Sequence, residues 1–163
     1  MTSKIALKYF IFLSGLVLII SSLSCSLKDK YKQWEEEELL LIQGYLSEND
    51  TLDFELKSSG LYYTDIEIGT GLLAETHDTA YVFYTMLWVN GDSIETNVGT
   101  TDTLVFPVNE NKLSVVGFDE GITYMREGGK AKFLVPSKLA FGDYIPYVFD
   151  VELVKLVKHS GRK

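Results

Sequence analysis

The sequence has little of what disulfide, metal or nucleic-acid chemistry requires. Its 163 residues include one cysteine, three prolines and two histidines, His77 and His159. A single cysteine excludes an intramolecular disulfide, and neither histidine has a companion at metal-ligand spacing, so no metal site is predicted. Lys and Arg number 15 against 23 Asp and Glu, and this acidic balance excludes a nucleic-acid partner.

The sequence also lacks an apolar run long enough to cross a membrane. The longest, Tyr9–Ile20, follows Lys4 and Lys8, whereas a spanning helix needs about twenty apolar residues. This pattern is typical of a signal peptide, which we predict over residues 1–24. Without the two lysines of that segment, 13 basic residues face 23 acidic ones, a formal charge of −10.

The only cysteine lies directly after this segment. Ser21, Ser22 and Ser24 lead into Cys25, an arrangement that resembles a bacterial lipoprotein signal cleaved before the cysteine. Cys25 would then carry acyl chains, which makes the lipid membrane a predicted partner. Asp29 has no acidic neighbour close behind Cys25, which favours an anchor on the periplasmic face of the outer membrane. The alternative is that Cys25 is incidental, at the end of an uncleaved anchor.

The remaining chain divides into three parts by pattern. Residues 25–59 are predicted to form a tether and an N-terminal helix over Trp34–Leu46, in which Glu35–Glu38 form a solvated face. Residues 60–158 read as a domain built mainly of strands, and residues 159–163 form a basic tail.

The domain at 60–158 is predicted to be α+β, an antiparallel β-sheet wrapped on one short helix, in addition to the N-terminal helix. The short helix is predicted over Phe118–Met125, because it follows Gly117 and stops before Gly128-Gly129. Strands are predicted at Leu61–Ile68, Ala80–Val89, Ser93–Thr96, Thr103–Phe106, Lys130–Val135 and Tyr147–Val157.

Motifs for covalent or cofactor chemistry are missing. Gly69-Thr70-Gly71 and Gly128-Gly129-Lys130 lack the rest of a nucleotide-binding motif, so both are interpreted as turns and no cofactor is predicted. Aromatic residues are abundant instead. On the strand Ala80–Val89 both faces are bulky, and core packing is the interpretation for most of these side chains.

Seven short segments, taken together in their order and spacing, resemble a known family. They are Val82–Thr85, Asn90–Thr96, Val115–Gly121, Met125–Lys130, Val135-Pro136, Ala140–Gly142 and Val148–Leu153. The pattern resembles the FK506-binding-protein (FKBP) family of peptidyl-prolyl cis-trans isomerases, from about Leu61 to the C-terminus. Ser59–Tyr63, the acidic helix and the signal further resemble lipoprotein members from Bacteroidota associated with gliding motility or outer-membrane secretion.

The resemblance implies an isomerase that helps exported or outer-membrane proteins to fold, with proline-containing polypeptides as clients. An outer-membrane secretion or gliding complex is a further implied partner. Phe118 would form the floor of an apolar pocket, and the Val115 N–H would bind a substrate carbonyl. The implied catalytic residues are Tyr84, Glu95, Val115, Phe118, Phe141 and Phe149, and the implied substrate-binding residues are Ile94, Leu104, Phe106, Ile145 and Pro146.

Some positions depart from the family pattern. Phe118 replaces a usual Trp, Glu95 a usual Asp and Phe141 a usual Tyr, and only three residues separate Gly142 from Pro146, where the family has a long loop. Tyr144 and Tyr147 are candidates to supply the missing hydroxyl. An isomerase is therefore expected, and the alternative is a weakly active or inactive binding subunit of an envelope complex. A purely structural lipoprotein is a third hypothesis.

Overall fold

The structure is a computed structural model and describes residues 28–161. The predicted signal peptide and Cys25 lie outside the described residues. The chain divides into two compact units, Met1–Glu37 and Glu38–Lys163. In chain order the elements are α1 (residues 28–48), β1 (Glu55–Leu56), β2 (Tyr62–Glu67), β3 (Thr79–Trp88), β4 (Ser93–Thr96), β5 (Leu104–Pro107), α2 (Val116–Ile122), β6 (Gly129–Val135), a 3₁₀ turn (Ser137–Leu139) and β7 (Tyr147–Val157).

The strands form one antiparallel sheet in the order β1-β2-β6-β7-β3-β4, and β5 also pairs with β3. Strand β7 lies between β6 and β3 and pairs with β3 from Thr79 to Trp88. The other edge of β3 is shared, because β5 pairs with Thr79–Val82 and β4 pairs with Thr85–Leu87. The predicted α+β fold, with its antiparallel sheet, short helix and extra N-terminal helix, is confirmed.

Helix α2 packs on one face of the sheet, with its backbone very close to the side chains of β6. A Cβ added at Gly121 would lie 2.5 Å from the Phe133 ring, and one at Gly117 would lie 2.7 Å from Val135 Cγ1. Only glycine permits this approach of helix backbone to sheet side chains. The approach brings Phe118 and Ile122 of α2 into the main buried cluster.

The predicted bounds of α2 differ from those observed. Residues 116 and 117 were predicted to precede the helix, but Val115 is its N-cap and its carbonyl accepts bonds from Phe118 N–H at 3.2 Å and Asp119 N–H at 3.4 Å. At the other end the Thr123 hydroxyl donates to the Glu120 carbonyl at 2.6 Å. The sequence pattern predicts that the helix begins after Gly117. In the structure Gly117 lies inside the helix, because only glycine fits against Val135 at this distance.

Two elements differ in extent from their prediction. Helix α1 covers residues 28–48 rather than Trp34–Leu46, and the two-residue strand β1 was not predicted. In the second unit, Ile42 and Tyr45 of α1 pack with Leu134 and Val148 in a second buried cluster.

None of the helices described between residues 28 and 161 combines the length and apolar character that crossing a membrane requires. The domain boundaries stay a prediction.

Candidate functional site

A cavity of about 260 Å³ lies where α2 faces strands β3 and β7. Phe141 lies at its rim, with 51% of its surface exposed. Helix α2 supplies the floor, and the strands supply the walls. The lining residues are Tyr84, Met86, Glu95, Leu104, Leu113, Ser114, Val115, Phe118, Phe141 and Phe149.

The floor of the cavity is the ring of Phe118, which is 3% exposed. Its centroid lies 5.2 Å from that of Phe149 and 5.6 Å from that of Tyr84, both in edge-on geometry. The ring centroids of Phe106, tilted, and Phe133, edge-on, each lie 6.0 Å from that of Phe118. Edge-on pairs at these separations attract each other beyond simple area burial, so the aromatic floor is preformed.

Tyr84 and Glu95 form a polar element in the wall. The Tyr84 hydroxyl donates to Glu95 Oε1 at 2.8 Å. Burial, followed by the bond to Glu95 and the charge of that carboxylate, raises the pKa of Tyr84 to about 12. The phenol therefore stays protonated near neutral pH. Glu95 is the only charged residue among those lining the cavity.

Val115 presents its backbone N–H at the start of α2. Its carbonyl is occupied by the first turn of the helix, but no group among residues 28–161 accepts a hydrogen bond from its N–H. The preceding loop is held by Asp119, which is 2% exposed and accepts bonds from Asn109 N–H at 2.6 Å and Asn111 N–H at 3.2 Å. A fixed, unused donor in an apolar cavity suits a carbonyl ligand.

The rim is organised around Ser137. Its N–H donates to Glu38 Oε1 at 2.6 Å, and its hydroxyl accepts from Tyr144 N–H at 2.6 Å. The Tyr147 hydroxyl donates to Asp143 at 2.5 Å, and burial, followed by this bond and the Asp143 charge, raises the pKa of Tyr147 to about 12. Neither Tyr144 nor Tyr147 lines the cavity, so neither provides the cavity with the hydroxyl that Phe141 lacks.

Seven of the residues assigned from the sequence line this cavity: Tyr84, Glu95, Leu104, Val115, Phe118, Phe141 and Phe149. Four others do not. Ile94 is 39% exposed and is the extra residue at an irregularity in the pairing of β4 with β3. Phe106 is buried against Phe118, and Ile145 is partly buried against the main cluster. Pro146 is fully buried, so it does not cover the opening. The functional roles stay predictions.

Three lining residues were missed by the sequence reasoning. Met86 follows Tyr84 by two positions on β3, and it lies opposite Glu95 of β4. Strand periodicity could have placed it on the cavity face. Leu113 and Ser114 come from an irregular segment before α2, where no periodicity operates, so no sequence signal was available for them.

The site contains no recognisable metal centre. Between residues 28 and 161 no group of three or more His, Cys, Asp or Glu side chains is arranged to hold a metal ion. The fold does bring the two histidines together, with ring centroids of His77 and His159 5.7 Å apart and His77 Nδ1 2.9 Å from Glu110 Oε1. Their sequence separation concealed this proximity.

Comparison with known proteins points in one direction. The sequence model for FKBP-type peptidyl-prolyl cis-trans isomerases matches residues 72–154. FkpA of Aeromonas hydrophila is 36% identical over 111 residues, which cover 63% of this chain and 40% of that protein. An FK506-binding protein of Neisseria meningitidis serogroup B is 30% identical over 106 residues, which cover 60% of this chain and 96% of that protein.

A solved structure shares the fold. The crystal structure of FkpA from Escherichia coli aligns with a TM-score of 0.62 and 24% identity, over 77% of this chain and 63% of that chain. Against the first curated FkpA relatives, from Aeromonas, Neisseria and Escherichia, the chain spans 40%, 44% and 38% of their lengths. The match therefore concerns the domain that contains the cavity.

Proposed function

This chain belongs to the FKBP-type peptidyl-prolyl cis-trans isomerase family, and we propose that it accelerates isomerisation of the bond before proline in polypeptide clients. The observation that carries the proposal is the cavity itself. A floor of edge-on aromatic rings and Val115, whose N–H has no acceptor among residues 28–161, line the same cavity, which fits a proline ring next to a peptide carbonyl.

The geometry can favour the transition state without a nucleophile or a metal. Rotation about a peptide bond has a barrier of about 18–20 kcal/mol because the planar amide is stabilised by resonance. In the twisted transition state the nitrogen is no longer conjugated and the carbonyl is less polar. An apolar cavity therefore stabilises it relative to the planar ground state. The proline ring lies against Phe118 and Phe149, and the Val115 N–H orients the carbonyl.

The proposal is tested by measuring cis-trans isomerisation of a short proline peptide. Phe149→Ala removes a wall of the cavity, and we expect at least a ten-fold loss of kcat/KM, equivalent to about 1.4 kcal/mol. Leu156→Ala is the matched control, because Leu156 is buried on the same strand but does not line the cavity. Equal activities of the two variants, or no acceleration by the unaltered protein, would contradict the proposal.

A second candidate function is a weakly active or inactive binding subunit of an envelope secretion or gliding complex. The rim favours it, because Phe141 carries no hydroxyl and the Tyr147 hydroxyl is bonded to Asp143. The loss of such a hydrogen-bond donor weakens ligand binding by about 0.5–1.5 kcal/mol. Absence of isomerisation, together with stable co-purification of membrane-protein partners, would support the binding subunit over the enzyme.

The proposed setting is the periplasmic face of the outer membrane, with clients that are exported or outer-membrane proteins. Its support is the sequence alone: a basic start, the apolar run Tyr9–Ile20 and the single Cys25. Multiple acyl chains anchor a protein stably where one does not. Intact-mass measurement of membrane-extracted protein is expected to show cleavage before Cys25 and an acylated residue. A free thiol at Cys25 would contradict the anchor.

A further inference from the structure

The outer edge of β3 has a gap beside the cavity. Strand β5 pairs with β3 only as far as Val82, and β4 pairs only from Thr85 onward. Phe83 and Tyr84 therefore have no strand partner on this edge, although β7 pairs with them on the other. Unpaired backbone groups cost free energy and leave a strand locally loose. The gap falls at the residue that supplies the wall hydroxyl.

The side chain of Asn97 fills this gap. Its Oδ1 accepts a hydrogen bond from Tyr84 N–H at 2.7 Å, and its Nδ2 donates to the Val82 carbonyl at 3.0 Å and to the Asp102 carbonyl at 3.2 Å. A carboxamide carries an acceptor and a donor on the same group, as a passing peptide unit does with its C=O and N–H. Asn97 thus takes the place of a strand at the point where β4 and β5 separate.

The carbonyl of Tyr84 is held from the same segment. It accepts bonds from Asn97 N–H at 3.2 Å and from the Thr96 hydroxyl at 3.0 Å. Asn97 is in turn fixed through its own carbonyl, which accepts from the Thr100 hydroxyl at 2.8 Å. Both backbone polar groups of Tyr84 are therefore bonded to residues 96 and 97.

We infer that Asn97 is a positioning residue for the cavity wall. It fixes the backbone of Tyr84 and, through the 2.8 Å bond from the Tyr84 hydroxyl, the carboxylate of Glu95. Asn97 does not line the cavity, so it touches no substrate itself. The expected effect on kcat/KM rests on the proposed function. The expected effect on the Tyr84 amide does not depend on it.

The kinetic test is a double-mutant cycle in the full chain. Asn97→Ala is expected to lower kcat/KM about five-fold, which corresponds to about 1 kcal/mol, the size typical of a protein hydrogen bond. In a Tyr84→Phe background the same substitution should change kcat/KM by less than about two-fold, because the hydroxyl through which Asn97 acts is gone. Asn97→Asp keeps the acceptor for Tyr84 N–H and should retain more activity than Asn97→Ala.

The matched control is Asn90→Ala. Asn90 lies in the turn between β3 and β4, and its Oδ1 accepts from Asp92 N–H at 3.0 Å, away from the cavity lining. We expect Asn90→Ala to lose comparable thermal stability with unchanged kcat/KM. Equal kinetic losses in Asn90→Ala and Asn97→Ala, or fully additive effects with Tyr84→Phe, would overturn the inference.

Amide hydrogen exchange separates this inference from the proposed function. The Tyr84 amide should exchange at least ten-fold faster in Asn97→Ala than in the unaltered protein, relative to the amides of β7, because its acceptor is removed. If the unaltered protein neither binds nor isomerises a proline peptide, the proposed function fails while faster exchange still supports the positioning role. Unchanged protection of Tyr84 in Asn97→Ala would refute that role whatever the activity.

Discussion

The behaviour of Tyr84 as a single residue depends on its neighbours. Its ring packs edge-on against Phe118, and its hydroxyl is held by Glu95. The sequence resemblance identifies both residues, but it does not reveal that they are bonded to each other. It also does not reveal Asn97, because the hydrogen bonds of a side chain across a strand gap leave no periodic signal in a sequence.

A conservative change at Tyr84 tests the polar part of the wall. Tyr84→Phe keeps the ring and removes only the donor to Glu95, so we expect a loss of about 0.5–1.5 kcal/mol in peptide binding. Isothermal titration with a proline peptide measures it. A variant that binds as tightly as the unaltered protein would show that the wall hydroxyl is unimportant.

At the scale of elements, the strands were predicted better than the helices. Bounds for β4 and β7 agree with the prediction, because period-two patterns and the Asn90-Gly91 turn define them locally. Helix α2 starts earlier than predicted, because close packing on Val135 places Gly117 inside the helix, where helix propensity alone disfavours glycine. Strand β1 is two residues long and exists through its pairing with β2, which local sequence does not encode.

The packing of α2 leads to a prediction for its glycine. In Gly121→Ala the new Cβ would lie 2.5 Å from the Phe133 ring, so we expect a loss of about 1–3 kcal/mol in the free energy of unfolding. The displaced helix also moves Phe118, so ligand affinity should fall as well. Urea denaturation and peptide titration measure the two effects.

Gly44→Ala is the matched control in α1. No atom lies within 4 Å of a Cβ built at this position, so the substitution should stabilise the helix by about 0.5–1 kcal/mol through its higher helix propensity. Opposite signs at the two glycines would assign the loss at Gly121 to packing. A Gly121→Ala protein as stable as the unaltered one would contradict the close approach of α2 to the sheet.

At the scale of the whole molecule, the sheet separates two different environments. One face carries α2 and the aromatic cavity, and the other is partly covered by the second half of α1 through Ile42 and Tyr45. Tyrosines lie on both faces, and their hydroxyls are either hydrogen-bonded to a carboxylate or buried. Phenols lose their protons near pH 10 when exposed. We therefore expect the stability of the fold to depend on pH in the alkaline range.

The direction of that dependence follows from the raised pKa values. Burial is the first cause in each case, and it raises the pKa of Tyr45, Tyr84, Tyr124 and Tyr147 to about 12, and that of Tyr63 further. Below pH 10 these phenols are protonated in both states, so they leave stability unchanged. Above pH 10 the unfolded chain releases protons that the folded chain keeps, so the free energy of unfolding must fall as pH rises toward 12.

Urea unfolding at pH 8, 10 and 11 measures this loss, and Tyr147→Phe isolates one contribution to it. The variant loses the bond to Asp143 at every pH, but it also removes one titrating phenol, so its stability should fall less steeply between pH 10 and 11. The two proteins differ only at residue 147, so the contributions of all other groups cancel in the comparison. Identical slopes for the two proteins would mean that Tyr147 ionises in the folded state as readily as in the unfolded chain, contrary to its burial beneath the rim.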